Sequence, residues 1–188
     1  MINDQKSFTL VEHERSKSLR RNESFTLIEL LVVSGIILLI SAIIFPNYRA
    51  GEQEFAIQRS AHKLSQDLRR AEELALSAKA YPGAPASFKG GYGVNFKINS
   101  TSYTLFADLN DDKAFNLDSD GVIETPSLES KVKIIGLSST PLNIVFLSPD
   151  PQVFISGGSE AQITISLETN PSKTKIIKVN QAGLIAIQ

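Results

Sequence analysis

The segment Phe25-Thr26-Leu27-Ile28-Glu29-Leu30 opens an apolar run that continues to residue 45 and dominates the interpretation of the chain. At about 1.5 Å per residue, a helix over residues 25–45 spans roughly 30 Å, the thickness of a bilayer core. Basic residues such as Arg20 and Arg21 precede the run, and Arg49 is the first one after it. The sequence therefore predicts a single membrane-spanning helix with residues 1–24 on the cytoplasmic side.

Glu29 is the only ionisable residue between residues 25 and 45. A lone carboxylate near the end of a membrane segment is costly unless it finds a partner, and for that reason it marks a functional position.

Residues Ser24-Phe25-Thr26-Leu27-Ile28-Glu29 resemble the cleavage and methylation motif of type IV prepilins and type II secretion pseudopilins. In that family a small residue, usually Gly, precedes Phe-Thr-Leu-Ile-Glu, and Ser24 takes the place of this Gly. The resemblance implies that a prepilin peptidase cuts between Ser24 and Phe25 and methylates the new amine of Phe25. The Glu29 carboxylate of one subunit is then expected to pair with the Phe25 amine of its neighbour during assembly, because opposite charges attract strongly in a low-dielectric medium.

The resemblance also implies partners and a location. The expected partners are the prepilin peptidase, other pilin or pseudopilin subunits and an assembly platform in the inner membrane. The expected location is the inner membrane, with the C-terminal bulk extracytoplasmic, followed by a pilus or pseudopilus.

An amphipathic helix is predicted after the apolar run. Pro46 is expected to kink the helix without ending it, and Tyr81-Pro82-Gly83 is expected to stop it. Apolar residues recur at alternating spacings of about four and three, which predicts a buried stripe: Ile57, Ala61, Leu64, Leu68, Ala71, Ala75 and Ala78. The predicted organisation is a cleaved leader (1–24), a membrane and filament-core helix (25–45), its amphipathic continuation (46–81) and a β-rich domain (82–188).

The β-rich domain is predicted from clusters of β-branched residues separated by turn residues. The predicted strands are 91–98, 102–107, 131–136, 142–147, 152–156, 161–168, 173–179 and 184–187. One long helix packed on antiparallel strands is an α+β fold, here pilin-like.

Three stretches of this domain are similar to the H-type (GspH/FimT-like) minor pseudopilins: Gly91-Tyr92-Gly93-Val94, Tyr103-Thr104-Leu105-Phe106-Ala107-Asp108, and Ile176-Ile177-Lys178-Val179-Asn180 with Gly183-Leu184-Ile185. The resemblance implies a minor structural subunit.

Residues 108–124, the acidic segment, are the one candidate chemical site. Asp108, Asn110 and Asp112 have the one-three-five spacing of an EF-hand calcium loop. The match ends there, because Lys113 stands where that loop has Gly and Ser119 where it has a bidentate Glu. Two interpretations stay open: a solvated, turn-rich loop, or an irregular calcium site. The candidate ligands are Asp108, Asn110, Asp112, Asp118, Asp120 and Glu124; no cofactor is required.

Composition favours a structural role over catalysis. The chain has no cysteine and two histidines, and it contains no Ser-His-Asp order, metal-binding histidine cluster or phosphate loop. An alternative function is a DNA-binding minor pilin using Lys173, Lys175 and Lys178, but the net charge of −1 argues against a nucleic-acid partner. Another is a membrane-tethered calcium-binding surface protein that does not polymerise.

Overall fold

The computed structural model describes residues 25–148 and 152–188. Within these residues it contains one helix and nine strands, which occur along the chain as α1 (Leu27–Leu76), β1 (Gly91–Phe96), β2 (Tyr103–Asp108), β3 (Gly121–Glu124), β4 (Val132–Leu137), β5 (Leu142–Phe146), β6 (Val153–Ile155), β7 (Glu160–Leu167), β8 (Thr174–Asn180) and β9 (Ile185–Ile187).

The strands form two antiparallel sheets, one with the order β3-β2-β1-β5-β6 and one with the order β4-β7-β8-β9. The turn after β1 links the two sheets. There the Asn99 N–H donates to the Ile134 carbonyl, and the Ile134 N–H donates to the Ser100 carbonyl, both at 2.9 Å. The predicted α+β fold with antiparallel strands is confirmed.

All eight predicted strands occur, with ends shifted by no more than two residues. The prediction missed β3, which lies at the end of the acidic segment. This strand is four residues long and pairs with β2 across an irregular register between Leu105 and Phe106. The aromatic ring of Tyr81 lies against Gly121, where a Cβ atom would come within 2.4 Å of the ring.

The helix ends at Leu76, five residues before the predicted stop at Tyr81. Ala78 adopts a left-handed conformation with φ of 45°. The Ala78 N–H donates to the Ala75 carbonyl at 2.9 Å, and the Lys79 N–H donates to the Leu74 carbonyl at 3.3 Å. This pair of bonds is a Schellman motif, which closes a helix and usually has Gly where this chain has Ala78. Pro46 does not end the helix.

The predicted apolar stripe of α1 is buried, except for Ala78, which lies beyond the end of the helix and is exposed. Leu64 and Leu68 have no exposed surface. Burying a leucine side chain contributes about 1.5–3 kcal/mol, so this face holds α1 against the strands. The core it joins takes side chains from both sheets, including Val94, Leu105, Ile144, Ile163 and Ile177.

Polar contacts flank this stripe. The Tyr103 hydroxyl donates to Asp67 at 2.6 Å, and the Arg70 guanidinium donates to Glu124 at 2.7 Å. The Glu129 N–H donates to the Ser60 hydroxyl at 3.0 Å. Burial, followed by the hydrogen bond to Asp67, raises the pKa of Tyr103 far above its usual value, so this phenol stays a donor at neutral pH.

Candidate functional site

The first candidate site is the start of α1. Thr26 immediately precedes the helix, and its hydroxyl oxygen accepts a hydrogen bond from the Glu29 N–H at 3.2 Å. This is the N-cap bond, and Glu29 is the third residue of the helix, where a carboxylate also interacts favourably with the helix dipole. Thr26 and Glu29 therefore have a local role in starting the helix, in addition to any role in assembly. Ser24 lies outside the described residues.

The helix behind this cap exposes apolar side chains. The 19-residue segment Leu27–Phe45 is long and apolar enough to cross a membrane. Its large side chains are exposed, as Leu27 at 85% and Leu38 at 70% illustrate. The hydroxyls of Ser34 and Ser41 donate to the carbonyls of Leu31 and Ile37, which satisfies them within the helix. Such a continuous apolar surface needs a lipid or protein environment.

The second candidate site is the β2–β3 loop, residues 109–120, which covers the outer face of the five-stranded sheet. Strand alternation places Gly93, Phe106 and Val145 on the face opposite the main core, and all three are buried. The Phe115 ring packs on Phe106, with ring centroids 5.1 Å apart. The loop is thus an ordered cover of the sheet, and its residues are mostly exposed or half-buried, so both interpretations of the acidic segment stay open.

A buried asparagine anchors this cover. Asn143 Oδ1 accepts a 2.7 Å hydrogen bond from Asn95 Nδ2 and a 3.3 Å bond from the Phe115 N–H. Asn143 lies on β5 and Asn95 on β1, so one amide joins two strands to the loop.

The acidic side chains of the loop bind mainly its own backbone. The Asp108 Oδ2 atom accepts from the Lys113 N–H at 2.9 Å, and the Asp112 Oδ1 atom accepts from the Ala114 N–H at 2.8 Å. The two Asp120 oxygens accept from the Leu109 N–H at 3.3 Å and the Asn116 N–H at 2.7 Å. These bonds shape the turns that a loop of this composition prefers.

One carboxylate oxygen of the acidic segment (residues 108–124) has no hydrogen-bond partner. Asp108 is 3% exposed, and its Oδ1 atom is buried with no hydrogen bond. Burial, together with the charges of Asp120 and Asp112, raises the pKa of Asp108 above its usual value of 3.8, against the lowering effect of the Lys113 N–H. Burial likewise raises the pKa of Asp120, with a smaller contribution from Asp112. Burying a carboxylate costs free energy when no positive charge or hydrogen-bond donor compensates it, and nearby carboxylates increase that cost.

The structure brings some of the predicted calcium ligands together and separates others. Asn110 and Asp112 are in contact, because Asn110 Nδ2 donates to Asp112 Oδ2 at 2.8 Å and Asn110 Oδ1 accepts from the Asp112 N–H at 3.2 Å. Glu124 is paired instead with Arg70 at 2.7 Å, and Asp118 is exposed.

The geometry of the loop bears on the two interpretations. Lys113, at the Gly position of an EF-hand loop, has the left-handed φ of 63° that favours glycine. Within residues 25–148 and 152–188, no group of three or more His, Cys, Asp or Glu side chains is arranged to hold a metal ion. A cation in this loop would therefore also need amide or backbone carbonyl oxygens.

Of the candidate nucleic-acid residues, Lys173 precedes β8, and Lys175 and Lys178 lie within it. Lys175 lies on the same face of β8 as Ile177 and Val179, which are buried on the core side, whereas Lys178 lies on the opposite face. Lys173 forms an ion pair with Glu54 of α1, and Lys178 lies 3.7 Å from Glu160. The three lysines therefore do not form one basic patch, and the geometry gives no support to DNA binding.

Sequence reasoning missed the residues that hold the cover, Phe115 and Asn143, and also Lys89, which forms an ion pair with Asp111. The sequence could have indicated a buried role for Phe115, because Phe115 and Phe146 are the two aromatic residues between residues 107 and 153. No local pattern indicates the role of Asn143, since its partner in the loop, Phe115, is 28 residues away in the sequence.

No family model matches the chain, and no curated protein is significantly similar to it. Among solved structures, it is similar to the minor pseudopilin EpsH from the Type 2 Secretion System of Vibrio cholerae, with a TM-score of 0.45 and 14% identity over 70% of this chain and 95% of that one. A likeness of this size does not carry an assignment, so the residues described above must do so.

Proposed function

We propose that this protein is a structural subunit of a type IV pilus or a type II secretion pseudopilus, synthesised as a prepilin. The observation that carries the proposal is that Thr26 and Glu29 of the motif lie at the start of a helix whose apolar side chains are exposed along Leu27–Phe45. A simple membrane anchor has no need of a carboxylate in that position, whereas an assembling subunit can use it.

In this proposal the prepilin peptidase cuts between Ser24 and Phe25 and methylates the Phe25 amine. The apolar helix holds the subunit in the inner membrane, with the β-rich domain outside, until the assembly platform extracts it. The Glu29 carboxylate then pairs with the Phe25 amine of a neighbouring subunit, which offsets the cost of burying both charges and sets the axial register. The role is structural, and none of the steps requires catalysis by this chain.

The stretches around Gly91, Tyr103 and Ile176 further suggest the H-type minor class. Their similarity to that class supports a subunit present in few copies rather than the main component of the filament. The same N-terminal chemistry serves pili and secretion pseudopili, so the proposal covers both machines.

Mass spectrometry of the membrane-bound protein, intact and after digestion, tests the proposal. We expect the chain to lack residues 1–24 and to carry one methyl group on Phe25. Cells without the prepilin peptidase provide the control, in which the same protein should keep residues 1–24. An uncut chain in cells with an active peptidase would refute processing and leave a signal-anchored domain.

A further inference from the structure

The strand β9 has one edge that no other strand covers within the described residues. It is the end strand of the four-stranded sheet and pairs with β8 on its other side. Ile176 of β8 and Gln188 exchange both backbone hydrogen bonds, at 3.1 and 2.8 Å. Because bonded and non-bonded positions alternate along an antiparallel ladder, Ile185 and Ile187 occupy non-bonded positions. Their backbone N–H and C=O groups therefore point away from β8, toward the free edge.

A groove of about 330 Å³ lies between β9 and α1. Ile185 and Ile187 form its strand wall. The helix wall consists of four side chains that share one face of α1, because they are spaced three or four residues apart: His62, Ser65, Gln66 and Arg69. A strand edge that faces a helix across a groove is a geometry that accepts an extended peptide.

The groove carries a positive charge that the described residues do not balance. Arg69 is exposed and takes part in no ion pair among these residues. Arg70, the next residue, bonds instead to Glu124 at 2.7 Å. The acid one turn further along the helix, Glu72, lies against the turn before β9, where a Cβ atom on Gly183 would come within 2.8 Å of its carboxylate. An unpaired guanidinium beside a strand edge favours a ligand that carries a carboxylate.

Ser65 gives a second and independent observation. It is 8% exposed, and its hydroxyl oxygen is buried with no hydrogen-bond partner. Serines inside helices commonly bond a carbonyl of the preceding turn, as Ser34 and Ser41 do in this helix. A buried hydroxyl without a partner costs free energy, which a ligand that fills the groove and bonds to it would recover.

We propose that the groove between α1 and β9 binds an extended, acidic segment of another protein, which adds to the sheet as a strand beside β9. The backbone of this segment bonds the outward N–H and C=O groups of Ile185 and Ile187 on one side and the Ser65 hydroxyl on the other. A carboxylate side chain of the segment pairs with Arg69. Backbone hydrogen bonds then supply the affinity, and the guanidinium selects an acidic sequence.

The proposal goes beyond the filament function and can fail separately from it. Pairing through Glu29 concerns the start of α1, whereas the groove uses residues 62–69 and 185–187. A chain that does not bind the segment would still be processed between Ser24 and Phe25 if the filament proposal is right.

The test is amide hydrogen exchange of the full chain in detergent micelles, read residue by residue by nuclear magnetic resonance. The probe is a short, end-capped peptide of alternating valine and threonine with one central glutamate. We expect it to slow the exchange of the Ile185 and Ile187 amides, whereas the Ala186 amide, at a position bonded to β8, should change little. The same peptide with glutamine in place of glutamate is the control probe. It should bind about tenfold more weakly, as measured by fluorescence anisotropy of the labelled peptides.

The decisive variant is Arg69→Gln, which should weaken binding of the glutamate probe about tenfold and remove its advantage over the glutamine probe. Arg70→Gln is the matched control, because it removes the same charge from the adjacent position, which bonds Glu124 and does not line the groove. Ile187→Pro removes an outward N–H that β8 does not use, so it should weaken the binding of both probes.

Three outcomes would overturn the proposal. One is the absence of binding of the glutamate probe to the native chain, and another is equal binding of that probe by Arg69→Gln and the native chain. The third is slow exchange of the Ile185 and Ile187 amides without any probe, increasing with protein concentration, which would assign the groove to a second copy of this chain. Arg69 is exposed, so its variant keeps the proposal falsifiable even if Ile187→Pro does not fold.

Discussion

The start of α1 and the β2–β3 loop both place carboxylates beside apolar residues, and the two regions differ in the contacts that these side chains make. Residues 25–45 leave their large apolar side chains exposed, with Glu29 as the one ionisable group among them. In the loop, Phe115 packs on Phe106, and the carboxylates accept backbone hydrogen bonds.

The difference separates side chains whose contacts lie within the chain from side chains that need a partner outside it. The loop carboxylates Asp112 and Asp120 accept hydrogen bonds from the loop's own backbone, whereas Asp108 Oδ1, at the end of β2, has no hydrogen-bond partner. At the start of α1, the Thr26 hydroxyl accepts from the Glu29 N–H, but the large apolar side chains that follow are exposed and have no partner within the described residues. We therefore expect substitutions at α1 to change assembly, and substitutions in the loop to change stability.

The largest effect is expected from Glu29→Gln. The substitution removes the charge that would pair with a neighbouring Phe25 amine but leaves the Glu29 N–H to bond Thr26. An ion pair at 4 Å is worth about 4 kcal/mol at an intermediate dielectric, so incorporation into filaments should fall by more than about tenfold. The measurement is the amount of variant in sheared filaments relative to the membrane pool.

Thr26→Val is the matched control for that experiment. It removes the N-cap acceptor, at a cost of about 1 kcal/mol to the helix end, and keeps the carboxylate. We expect it to assemble far better than Glu29→Gln. Equal assembly of Glu29→Gln and the native chain would show that the carboxylate serves only the helix end, and the proposed pairing would be wrong.

The next largest effect is expected from Phe115→Ala, which removes the ring that packs on Phe106. Truncating a well-packed phenylalanine costs 3–5 kcal/mol; because Phe115 is partly exposed, we expect about 3 kcal/mol from urea unfolding of the full chain in micelles. Leu117→Ala is the control from the same loop, since Leu117 is 72% exposed and should change stability by less than about 0.5 kcal/mol. Equal effects of the two substitutions would contradict the description of the loop as a cover.

Gly93→Ala tests the sheet below the cover. A Cβ atom there would come within 2.8 Å of the Phe106 ring and 2.9 Å of the Ile144 carbonyl oxygen. Because the backbone atom cannot move aside easily, we expect a loss of about 2 kcal/mol in the same unfolding experiment. Gly158→Ala should be nearly neutral, as no atom lies within 4 Å of the added methyl group. A neutral Gly93→Ala would mean that Phe106 is not held between the sheet and the loop.

Local patterns were sufficient to predict most of the elements. The strict alternation of Ile163-Thr164-Ile165-Ser166-Leu167 predicted β7, and the spacing of Ile57, Leu64 and Leu68 predicted the buried face of α1. In both cases a single face contacts the core, so the residue period carries the information.

The failures have long-range or unusual causes. The end of α1 was misplaced because Ala78 takes a conformation that the sequence signals only when Gly is present. The cover over the sheet was missed because it depends on Asn143, which the local sequence of the acidic segment cannot indicate. The start of α1 was easier to interpret, because a resemblance in consecutive residues needs no tertiary information.

The smallest effect is expected at the exposed ion pair between Glu54 of α1 and Lys173, the residue before β8. The hydrogen bond and charge of Lys173 lower the pKa of Glu54 below its usual value of 4.5, with a smaller contribution from the charge of Lys175. A carboxylate with a lowered pKa stabilises the folded state above its unfolded pKa, and this contribution disappears as the pH falls through the folded pKa. Glu54→Gln should therefore lower the urea midpoint slightly at neutral pH, and the difference from the native chain should vanish below that pKa.

Lys173→Gln and the double variant complete a double-mutant cycle, which measures the coupling between the two side chains. Because the pair is exposed, added salt should reduce this coupling. A coupling that persists at low pH, where Glu54 is protonated, would show that packing of the side chains, and not charge, joins the segment before β8 to α1 at this position.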